Sequence, residues 1–302
     1  MTDLRVHIGK TTLKNPILTA SGTFGYGPEF EPYLNLNAIG GFCTKGISLE
    51  PRPGNPGIRI VETASGMLNS IGLENCGSRV FLDETMPKIA RYDTAIIVNF
   101  YAYTEEDFVK LAAVLSENDR IDALEMNLSC PNVKQGGSAF GADPKLIESL
   151  TAAVRKVTAK TLIVKLSPNV ADITLTARAA EAGGADAVSL INTLVGTAID
   201  RRTRRFVLGN KVGGLSGPAI KPVALRMVWQ TAKAVKIPVI GMGGIASLGD
   251  VLDFLIVGAR AVQVGSANFV DPGIAQTLAE GLDRYLAERQ ETIDQLIGSV
   301  QE

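Results

Sequence analysis

The feature that most constrains this chain is a series of eight short apolar runs, each rich in Val, Ile or Leu. Within most runs the apolar residues follow one another instead of alternating with polar ones, which is typical of parallel strands covered on both faces. The sequence therefore predicts an α/β protein with a parallel sheet. The runs occupy residues 15–20, 38–47, 94–102, 123–129, 161–167, 187–193, 238–244 and 261–266.

Amphipathic segments of helical length separate most of these runs. Asp143 and Ser247 stand where helix N-caps are expected, and Gly183, Gly184 and Gly258 stand where helices should end. Strands and helices that alternate over about 250 residues predict a (β/α)8 TIM barrel. An open, doubly wound sheet is the alternative that this pattern leaves. The predicted helices are 105–117, 144–159, 172–182, 218–235 and 248–257.

The chain is predicted to form a single domain over residues 1–302, since no linker, repeat or low-complexity tract divides it. Residues 5–15 predict a small β-hairpin across the bottom of the barrel. Two connections, 48–76 and 194–217, are too long for simple turns, and long loops in a compact domain are usually functional or mobile. We expect these long loops to lie over the C-terminal face of the barrel, where such barrels have their active sites.

The charge balance excludes several classes of partner. Thirty Lys and Arg residues oppose 31 Asp and Glu residues, so nothing indicates binding to nucleic acid or to an anionic membrane. The first residues carry no apolar signal segment, and no apolar run reaches the roughly 20 residues of a membrane-spanning helix. Three widely spaced cysteines, at positions 43, 76 and 130, match no metal-binding spacing. We expect a reduced, cytoplasmic protein.

Histidine is nearly absent, which limits the chemistry. The one histidine, His7, falls in a predicted surface strand. A Ser-His-Asp triad and a site with several histidine ligands are therefore excluded, and no bound metal is expected. Any proton transfer falls to Cys, Lys, Asp, Glu or Tyr.

Polar residues stand at the predicted C-terminal ends of the strands. Asparagine and lysine rarely occupy apolar strands unless something polar meets them. Side-chain amides suit a ligand with amide or ring-imide edges, and lysines suit an anionic ligand or an anionic cofactor state. The loop segment NSIGLEN at 69–75 can fold over the same mouth. The strand-end residues are Ser21, Lys45, Asn99, Asn127, Cys130, Lys165, Asn192, Thr193, Gly243, Gly244, Gly265 and Ser266.

Glycines end the last two predicted strands. Backbone N–H groups in such turns, with a following helix N-terminus, bind phosphate, and barrels often do so after strands seven and eight. The segment GMGGIA at 241–246 also fits the dinucleotide pattern G-x-G-x-x-A, but no acidic residue follows about 20 residues later. The pattern favours a mononucleotide phosphate over NAD.

Cys130 stands where its strand gives way to a Gly-rich loop, NVKQGG. Most cysteines are buried structural thiols, and we assign Cys43 and Cys76 to that class. Cys130 differs because it falls at the expected active-site face. Without a usable histidine, a thiol with an ordinary pKa of about 8.5 is a plausible base if nearby lysines lower that pKa.

Seven segments resemble, in their order and spacing, the class 1 dihydroorotate dehydrogenases, and the similarity covers essentially the whole chain. The details resemble most the B-type catalytic subunit, which is the NAD-linked form. The segments are ASGTFG (20–25), TKGI (44–47), NSIGLEN (69–75), NLSCPNVKQGGSAFG (127–141), NTLVG (192–196), GGLSGPAIKP (213–222) and GMGGI (241–245).

The resemblance implies an FMN-containing barrel, with one FMN per chain, that oxidises (S)-dihydroorotate to orotate in pyrimidine (UMP) biosynthesis. It implies that Cys130 removes the C5 proton while the C6 hydride passes to the flavin. Orotate would be held by Lys45, Asn69, Ser70, Ile71, Gly72, Leu73, Asn127, Asn192 and Thr193. FMN would be held by Ser21, Lys45, Gly46, Asn99, Asn127, Lys165, Ile191, Gly217, Gly243, Gly244, Gly265 and Ser266.

The resemblance also implies a partner. B-type enzymes pair this barrel with a second subunit that holds FAD and a 2Fe–2S cluster and passes electrons to NAD. A homodimer of this chain with two such subunits would form a heterotetramer. A cluster needs four cysteines or equivalent ligands, which three dispersed cysteines cannot supply, so FAD and the cluster are expected only in the partner.

The cysteine base also separates the chain from the class 2, membrane-linked enzymes, which use serine.

Several functions remain as alternatives. Within flavin chemistry they are a fumarate-linked A-type dihydroorotate dehydrogenase and a dihydropyrimidine dehydrogenase-like activity. A flavin-free barrel lyase that uses Lys165 as a Schiff-base amine belongs to another enzyme class. The non-enzymatic alternative is a barrel that only binds a phosphorylated ligand.

Overall fold

A computed structural model of the chain describes residues 2–128 and 141–301. Eight parallel strands close into a barrel in which each strand pairs with the next along the chain and the last pairs with the first. This closed barrel confirms the (β/α)8 prediction and excludes the open sheet. The strands are β1 Ile17–Thr19, β2 Gly41–Cys43, β3 Ala95–Phe100, β4 Ala123–Asn127, β5 Thr161–Lys165, β6 Ala187–Leu190, β7 Val239–Met242 and β8 Ala261–Val264.

Burial on both faces explains why the strand sequences are continuously apolar. Every residue of the eight barrel strands is buried except Asn127, at the end of β4. A large apolar side chain that is fully removed from water contributes about 1.5–3 kcal/mol. The eight short runs therefore supply much of the core that holds the barrel closed.

Helices follow seven of the eight strands, and two short 3-10 turns, Pro28–Phe30 and Leu36–Ala38, follow β1 instead. The Asp143 side chain accepts the Lys145 N–H and the Ser247 side chain accepts the Asp250 N–H, which confirms both predicted N-caps. The helices are Gly77–Val80, the π-helical Phe81–Thr85, Met86–Ile89, Glu105–Ser116, Pro144–Arg155, Ile173–Ala182, Lys221–Ala234, Leu248–Ile256, Ile274–Arg289 and Ile293–Leu296, with further 3-10 turns at Pro218–Ile220 and Ser266–Phe269.

The predicted N-terminal hairpin is present and lies at the N-terminal ends of the barrel strands. Val6–Ile8 pairs with Thr11–Leu13 in antiparallel register. The Thr11 hydroxyl donates to the Asp122 carbonyl at 3.0 Å and contacts Thr161 Oγ1 at 2.9 Å. Since these residues stand at the start of β4 and β5, the hairpin covers the bottom of the barrel. The exposed His7 lies on it.

The two long loops form strands that the sequence analysis did not predict. The connections after β2 and β6 join into a four-stranded antiparallel sheet, here called the loop sheet, in the order Leu194–Thr197, Val212–Ser216, Gly66–Asn69 and Ile60–Thr63. Beyond it, Ile199–Asp200 pairs with Arg205–Phe206 around an exposed turn at residues 201–204, which contains three arginines. The pairing joins segments far apart in sequence, so no local pattern announces it. Among the described residues, no helix combines the length and the apolar character that a bilayer crossing requires.

Candidate active site

The C-terminal ends of three neighbouring strands bring polar side chains together inside the barrel. Asn99 lies in β3, and Asn127 and Lys165 are the last residues of β4 and β5. In the register of the sheet Asn127 pairs with Lys165, and Asn99 pairs with Glu125. Lys165 is 5% exposed and Asn99 is 1% exposed, so both polar groups need partners within the barrel.

Glu125 supplies those partners, and the sequence analysis did not identify it. This residue is fully buried in β4. Its Oε1 accepts from Asn99 Nδ2 at 2.7 Å and lies 3.6 Å from Lys165 Nζ. The Cys43 thiol donates to the same oxygen at 3.2 Å. The available signal was an acidic residue inside an apolar run, two positions before Asn127 and therefore on the same face of the strand.

The other carboxylate oxygen of Glu125 accepts from two further strands. Ser189 Oγ donates to it at 2.8 Å and Gln263 Nε2 at 2.9 Å. Cys43, Glu125, Ser189 and Gln263 come from β2, β4, β6 and β8, the alternate-strand arrangement from which a layer of a barrel interior is built. Such layers are usually filled by branched apolar side chains, whereas this layer is polar and Glu125 contacts each of its other members.

The network sets the charge of two of its members. Burial pushes the pKa of Glu125 upwards, but the attraction of Lys165 and the hydrogen bonds from Gln263, Asn99 and Ser189 outweigh burial and hold that pKa below its usual value. Burial, and then repulsion by the Glu125 carboxylate, raise the pKa of the Cys43 thiol well above its ordinary value. At neutral pH Glu125 is an anion and Cys43 is a neutral buried thiol, as predicted for a structural cysteine.

The segment 69–75 is fixed at the C-terminal end of the barrel. Tyr101, which directly follows β3, donates its hydroxyl hydrogen to the Leu73 carbonyl at 2.8 Å and accepts from Asn75 Nδ2 at 2.8 Å. These contacts confirm that NSIGLEN folds over the mouth. The predicted substrate residues in this segment are Asn69, Ser70, Ile71, Gly72 and Leu73.

Lys45, just after β2, belongs to a charged group at the mouth. Its Nζ lies 3.8 Å from Glu74 Oε1, and Arg59 Nη1 donates to Glu74 Oε2 at 2.5 Å. The hydrogen bond from Arg59, and then the charge of Lys45, lower the pKa of Glu74. Two cations around one carboxylate leave a net positive charge, which suits an anionic substrate.

The ends of β4 and β6 are joined by side-chain amides. Asn192 Nδ2 donates to Asn127 Oδ1 at 3.3 Å, and Asn192 Oδ1 accepts the Thr193 N–H at 2.8 Å. Asn169 Nδ2 donates to the Thr193 carbonyl at 3.1 Å. The structure therefore brings Asn127, Asn192 and Thr193, three predicted substrate residues, into one group.

The glycines after β7 stand where the backbone packs too closely for a side chain. Gly243 and Gly244 have φ values of 130° and 75°. A Cβ on Gly243 would lie 2.7 Å from the Cβ of Ala224 and 3.5 Å from Ile191, and one on Gly244 would lie 2.8 Å from the Gly217 carbonyl oxygen. Glycine is required at both positions. Turns of this kind leave backbone N–H groups free for an anion.

A second backbone segment at this rim joins the ends of β1 and β8. The Ala20 N–H donates to the Val264 carbonyl at 2.8 Å, which brings Ser21 close to Gly265 and Ser266. Ser266 opens the 3-10 turn Ser266–Phe269. The three residues predicted to bind the cofactor at these two strand ends are therefore neighbours.

The helix N-terminus after β7 already carries an acid. Asp250 Oδ2 accepts the Ala246 N–H at 2.9 Å and the Ser247 hydroxyl at 2.8 Å. Lys221 Nζ also contacts the Asp250 carboxylate. A phosphate at this rim would therefore rely on the glycine turns more than on the first turn of the helix Leu248–Ile256.

Several buried polar atoms here have no protein partner among the residues that the structure describes. They include Asn99 Oδ1, Thr44 Oγ1, Ser70 Oγ and Gln263 Oε1. A Cβ on Gly46 would stand 2.8 Å from Asn99 Oδ1, so the missing side chain leaves room beside that acceptor. A buried polar group without a partner costs about 1–3 kcal/mol, which a ligand with ring N–H and carbonyl groups would offset. These residues fit the FMN ring that the resemblance implies.

Two of the three cysteines, Cys43 and Cys76, lie in the described part of the chain. Cys130, the candidate base, lies outside the described residues. Cys43 and Cys76 are free thiols, and Cys76 Sγ lies 3.4 Å from the Tyr26 hydroxyl. Within residues 2–128 and 141–301, no three His, Cys, Asp or Glu side chains converge as a metal ion would require.

The barrel and its polar mouth define a (β/α)8 protein built to hold a ligand at the C-terminal ends of its strands. The family model described as dihydroorotate dehydrogenase matches residues 3–286. The chain belongs to the dihydroorotate dehydrogenase family.

Relatives match along their whole length. The chain is 57% identical over 299 residues to a protein of Trichlorobacter lovleyi, which covers 99% of this chain and 98% of the relative. It is 54% identical over 300 residues to a protein of Geobacter sulfurreducens, with the same coverage. It is 52% identical over 302 residues to one of Bacteroides fragilis, covering 100% of both. All three relatives are named dihydroorotate dehydrogenase B (NAD(+)), catalytic subunit.

Proposed function

We propose that this chain oxidises (S)-dihydroorotate to orotate in pyrimidine (UMP) biosynthesis, as the FMN-binding catalytic subunit of an NAD-linked enzyme. The observation that carries this proposal is a group of acceptors around Asn99, without a partner among the described residues, beside the buried cation Lys165. The chain also belongs to the dihydroorotate dehydrogenase family. Full-length relatives with the B-type name support the NAD-linked form. We also propose that residues 1–302 form a single FMN-binding domain.

FMN, when bound, supplies a two-electron acceptor for the hydride that leaves C6 of the substrate. On the protein side, Lys165 offers a positive charge and Asn99 offers an acceptor for a ring N–H. The glycine turns at Gly243 and Gly244 offer backbone N–H groups for the phosphate. The remaining cofactor residues are proposed to be Ser21, Lys45, Gly46, Asn127, Ile191, Gly217, Gly265 and Ser266.

The substrate is a pyrimidine ring with a carboxylate, and the mouth offers groups for both parts. The amides of Asn127 and Asn192 suit the ring N–H and carbonyl groups, and the Lys45 ammonium suits the carboxylate. Cys130 takes the proton from C5, since no histidine is available for that role. We propose that the segment 69–73 and Thr193 complete the substrate site.

The position of Lys165 argues against the lyase alternative. A Schiff-base lysine must be neutral to attack a carbonyl. Lys165 instead stands in an ion pair with the buried Glu125 carboxylate, 3.6 Å away. An ion pair of this kind suits a lysine that holds a charge beside a cofactor more than one that acts as a nucleophile.

The active-site proposal is tested by Cys130→Ala with Cys76→Ala as the matched control. Cys130→Ala should retain FMN and lower turnover by about 10²–10⁴, the usual contribution of a general base. Cys76→Ala should retain turnover. Cys130→Ser should retain some activity with its optimum at higher pH, because a hydroxyl ionises less readily than a thiol. Near-normal turnover in Cys130→Ala would contradict the assigned role.

We propose a cytoplasmic heterotetramer, with a homodimer of this chain bound to two subunits that carry FAD and a 2Fe–2S cluster. The loop sheet and its extension support the homodimer, because exposed apolar side chains cluster there. They are Ile58, Ile60, Val195, Ile199, Phe206 and Val212, each 47–63% exposed.

Analytical ultracentrifugation of the purified chain tests the homodimer. A dimer that dissociates in Val195→Ser and Phe206→Ser, but not in Leu175→Ser, would support this surface. Leu175 is a suitable control because it is 51% exposed on an outer helix. A wild-type chain that sediments as a monomer at every concentration would remove the homodimer.

A further inference from the structure

Glu125 is a buried charge to which the proposed chemistry gives no role. Its carboxylate is 0% exposed and stands inside the barrel, below the strand ends. Removing a carboxylate from water is costly unless the charge is paired and hydrogen-bonded. A neutral Gln or an apolar residue would fill the same space in a barrel core without that cost, so the charge itself needs an explanation.

The contacts of Glu125 identify the partner of its charge. Asn99, Cys43, Ser189 and Gln263 donate neutral hydrogen bonds to it. Among the described residues, Lys165 is the one cation within ion-pair distance of this carboxylate. The Lys165 side chain is itself 6% exposed, so the two charges form a nearly dry pair of zero net charge.

Glu125 lies directly behind two groups proposed to meet the flavin, Lys165 and Asn99. Lys165 ends β5, and Asn99 contacts the same Glu125 oxygen that Lys165 faces. The free end of the Asn99 amide, Oδ1, has no protein partner among the described residues. An ionised carboxylate only accepts hydrogen bonds, so Glu125 also determines that the Asn99 NH2 group points to it and the carbonyl oxygen points away.

We propose that Glu125 is a positioning residue that acts through Lys165: it is the buried counter-ion that makes this lysine half of a neutral pair, and the pair tunes how readily the bound flavin is reduced. This inference rests on the proposed flavin site. A bare buried cation would favour the anionic reduced ring more strongly than a compensated one, because charges interact strongly where water is excluded. Glu125 therefore moderates the effect of Lys165 while holding the cation in place.

The test is a charge-compensation cycle of Glu125→Gln, Lys165→Met and the double variant. The midpoint reduction potential of bound FMN is measured by anaerobic dye equilibration. Glu125→Gln removes a negative charge and should raise the potential, whereas Lys165→Met should lower it. Each single variant should change the ratio of reduced to oxidised flavin at least tenfold, which is about 30 mV for a two-electron couple. The double variant, again without net charge, should return near the wild-type potential.

Ser189→Ala is the matched control, since it removes a neutral donor from the same carboxylate and leaves both charges. Its potential should shift by less than either single variant. A Glu125→Gln protein with unchanged potential would overturn the proposal, and so would single variants that shift in the same direction or a double variant that does not recover. If Lys165→Met does not fold, the proposal is decided by the midpoint potentials of the other two variants: Glu125→Gln must shift the potential more than Ser189→Ala does.

A readout without flavin separates this inference from the proposed function. In the FMN-free chain, Lys165→Met should lower the urea midpoint of unfolding, and adding Glu125→Gln should recover most of that loss, because the orphaned carboxylate is gone. A chain that never binds flavin would remove the proposed function and this role with it, even if the stability cycle recovers. If the chain binds flavin but the double variant does not recover the urea midpoint lost in Lys165→Met, the proposed role of the Glu125–Lys165 ion pair is overturned and the proposed function stands.

Discussion

The polar groups at the two ends of the barrel differ in whether they have protein partners. At the N-terminal end, the Asp186 carboxylate accepts from Arg155 Nη1 at 2.7 Å and from the Leu162 N–H at 2.8 Å. The Thr161 hydroxyl there contacts the hairpin through Thr11 Oγ1. At the C-terminal end, polar atoms such as Asn99 Oδ1 have no protein partner among the described residues.

The difference separates stability from ligand binding in one fold. At the N-terminal end the polar groups are hydrogen-bonded within the protein, so loss of one of these hydrogen bonds should lower the free energy of unfolding. Polar groups at the C-terminal end that have no partner among the described residues are a cost to the free protein, which a bound ligand would offset. Changes at the bottom should therefore affect unfolding, and changes at the top should affect cofactor and substrate chemistry.

The largest expected effect comes from comparing a buried lysine at the top with an arginine at the bottom. Lys165→Ala should slow flavin reduction by dihydroorotate by about 10²–10³, the usual contribution of one preorganised electrostatic group, with a smaller effect on substrate binding. Arg155→Ala should lower the unfolding midpoint but leave the reduction rate of the folded enzyme unchanged. Anaerobic stopped-flow spectroscopy measures both rates. Equal rates for Lys165→Ala and wild type would contradict the comparison.

Acid titration should reveal the contribution of Glu125 to stability, because this buried carboxylate at the C-terminal end has a pKa below its usual value. Such a group contributes stability that is present above its unfolded pKa, about 4.3 for Glu, and that is lost as pH falls through its folded pKa. The FMN-free wild-type chain should lose stability on acidification below about pH 4.3. Glu125→Gln should show a shallower loss in urea titrations at each pH, and parallel curves would contradict the assignment.

A pair of buried threonines gives a smaller effect with opposite signs at the two ends. Thr161→Val at the bottom removes a bonded hydroxyl and should lower the free energy of unfolding by about 1 kcal/mol. Thr44→Val removes a buried hydroxyl with no partner among the described residues and should raise that free energy by about 1 kcal/mol in the FMN-free chain. Urea titration measures both. Destabilisation of the same size in both variants would contradict the proposed difference between the two ends of the barrel.

The smallest expected effect belongs to the only histidine. His7 is exposed on the hairpin, where its Nδ1 lies 3.0 Å from Thr12 Oγ1. His7→Ala should change the free energy of unfolding by less than about 0.5 kcal/mol. The pH profile of turnover between 5 and 8 should be unchanged, since histidine takes no part in the proposed proton transfer. A change in that profile would call for another assignment of the base.

The sequence predicted the barrel better than it predicted the site's interior. Continuous apolar runs indicated all eight strands, because both faces of each strand are buried. Asn99, Asn127 and Lys165 were recognised as polar residues at strand ends. Glu125 was missed because its partners come from five other strands, and no spacing along the chain shows which strand faces which in a closed barrel.

The loop sheet was missed for a related reason. Its central pairing joins Gly66–Asn69 to Val212–Ser216, so the long loops after β2 and β6 support each other and neither alone reads as a stable sheet. The connection 48–76 was predicted only as a long loop, whereas it contains the strands Ile60–Thr63 and Gly66–Asn69. Long-range pairing of this kind is visible in the structure and not in local sequence patterns.

The most direct test of the proposed function is the visible absorption spectrum of the purified chain, before and after anaerobic addition of dihydroorotate. We expect a yellow protein whose flavin absorbance bleaches when the substrate is added. A yellow protein that does not bleach would retain the flavin barrel but contradict the substrate. A chain that stays colourless after incubation with FMN would contradict the proposal that it is a flavoprotein.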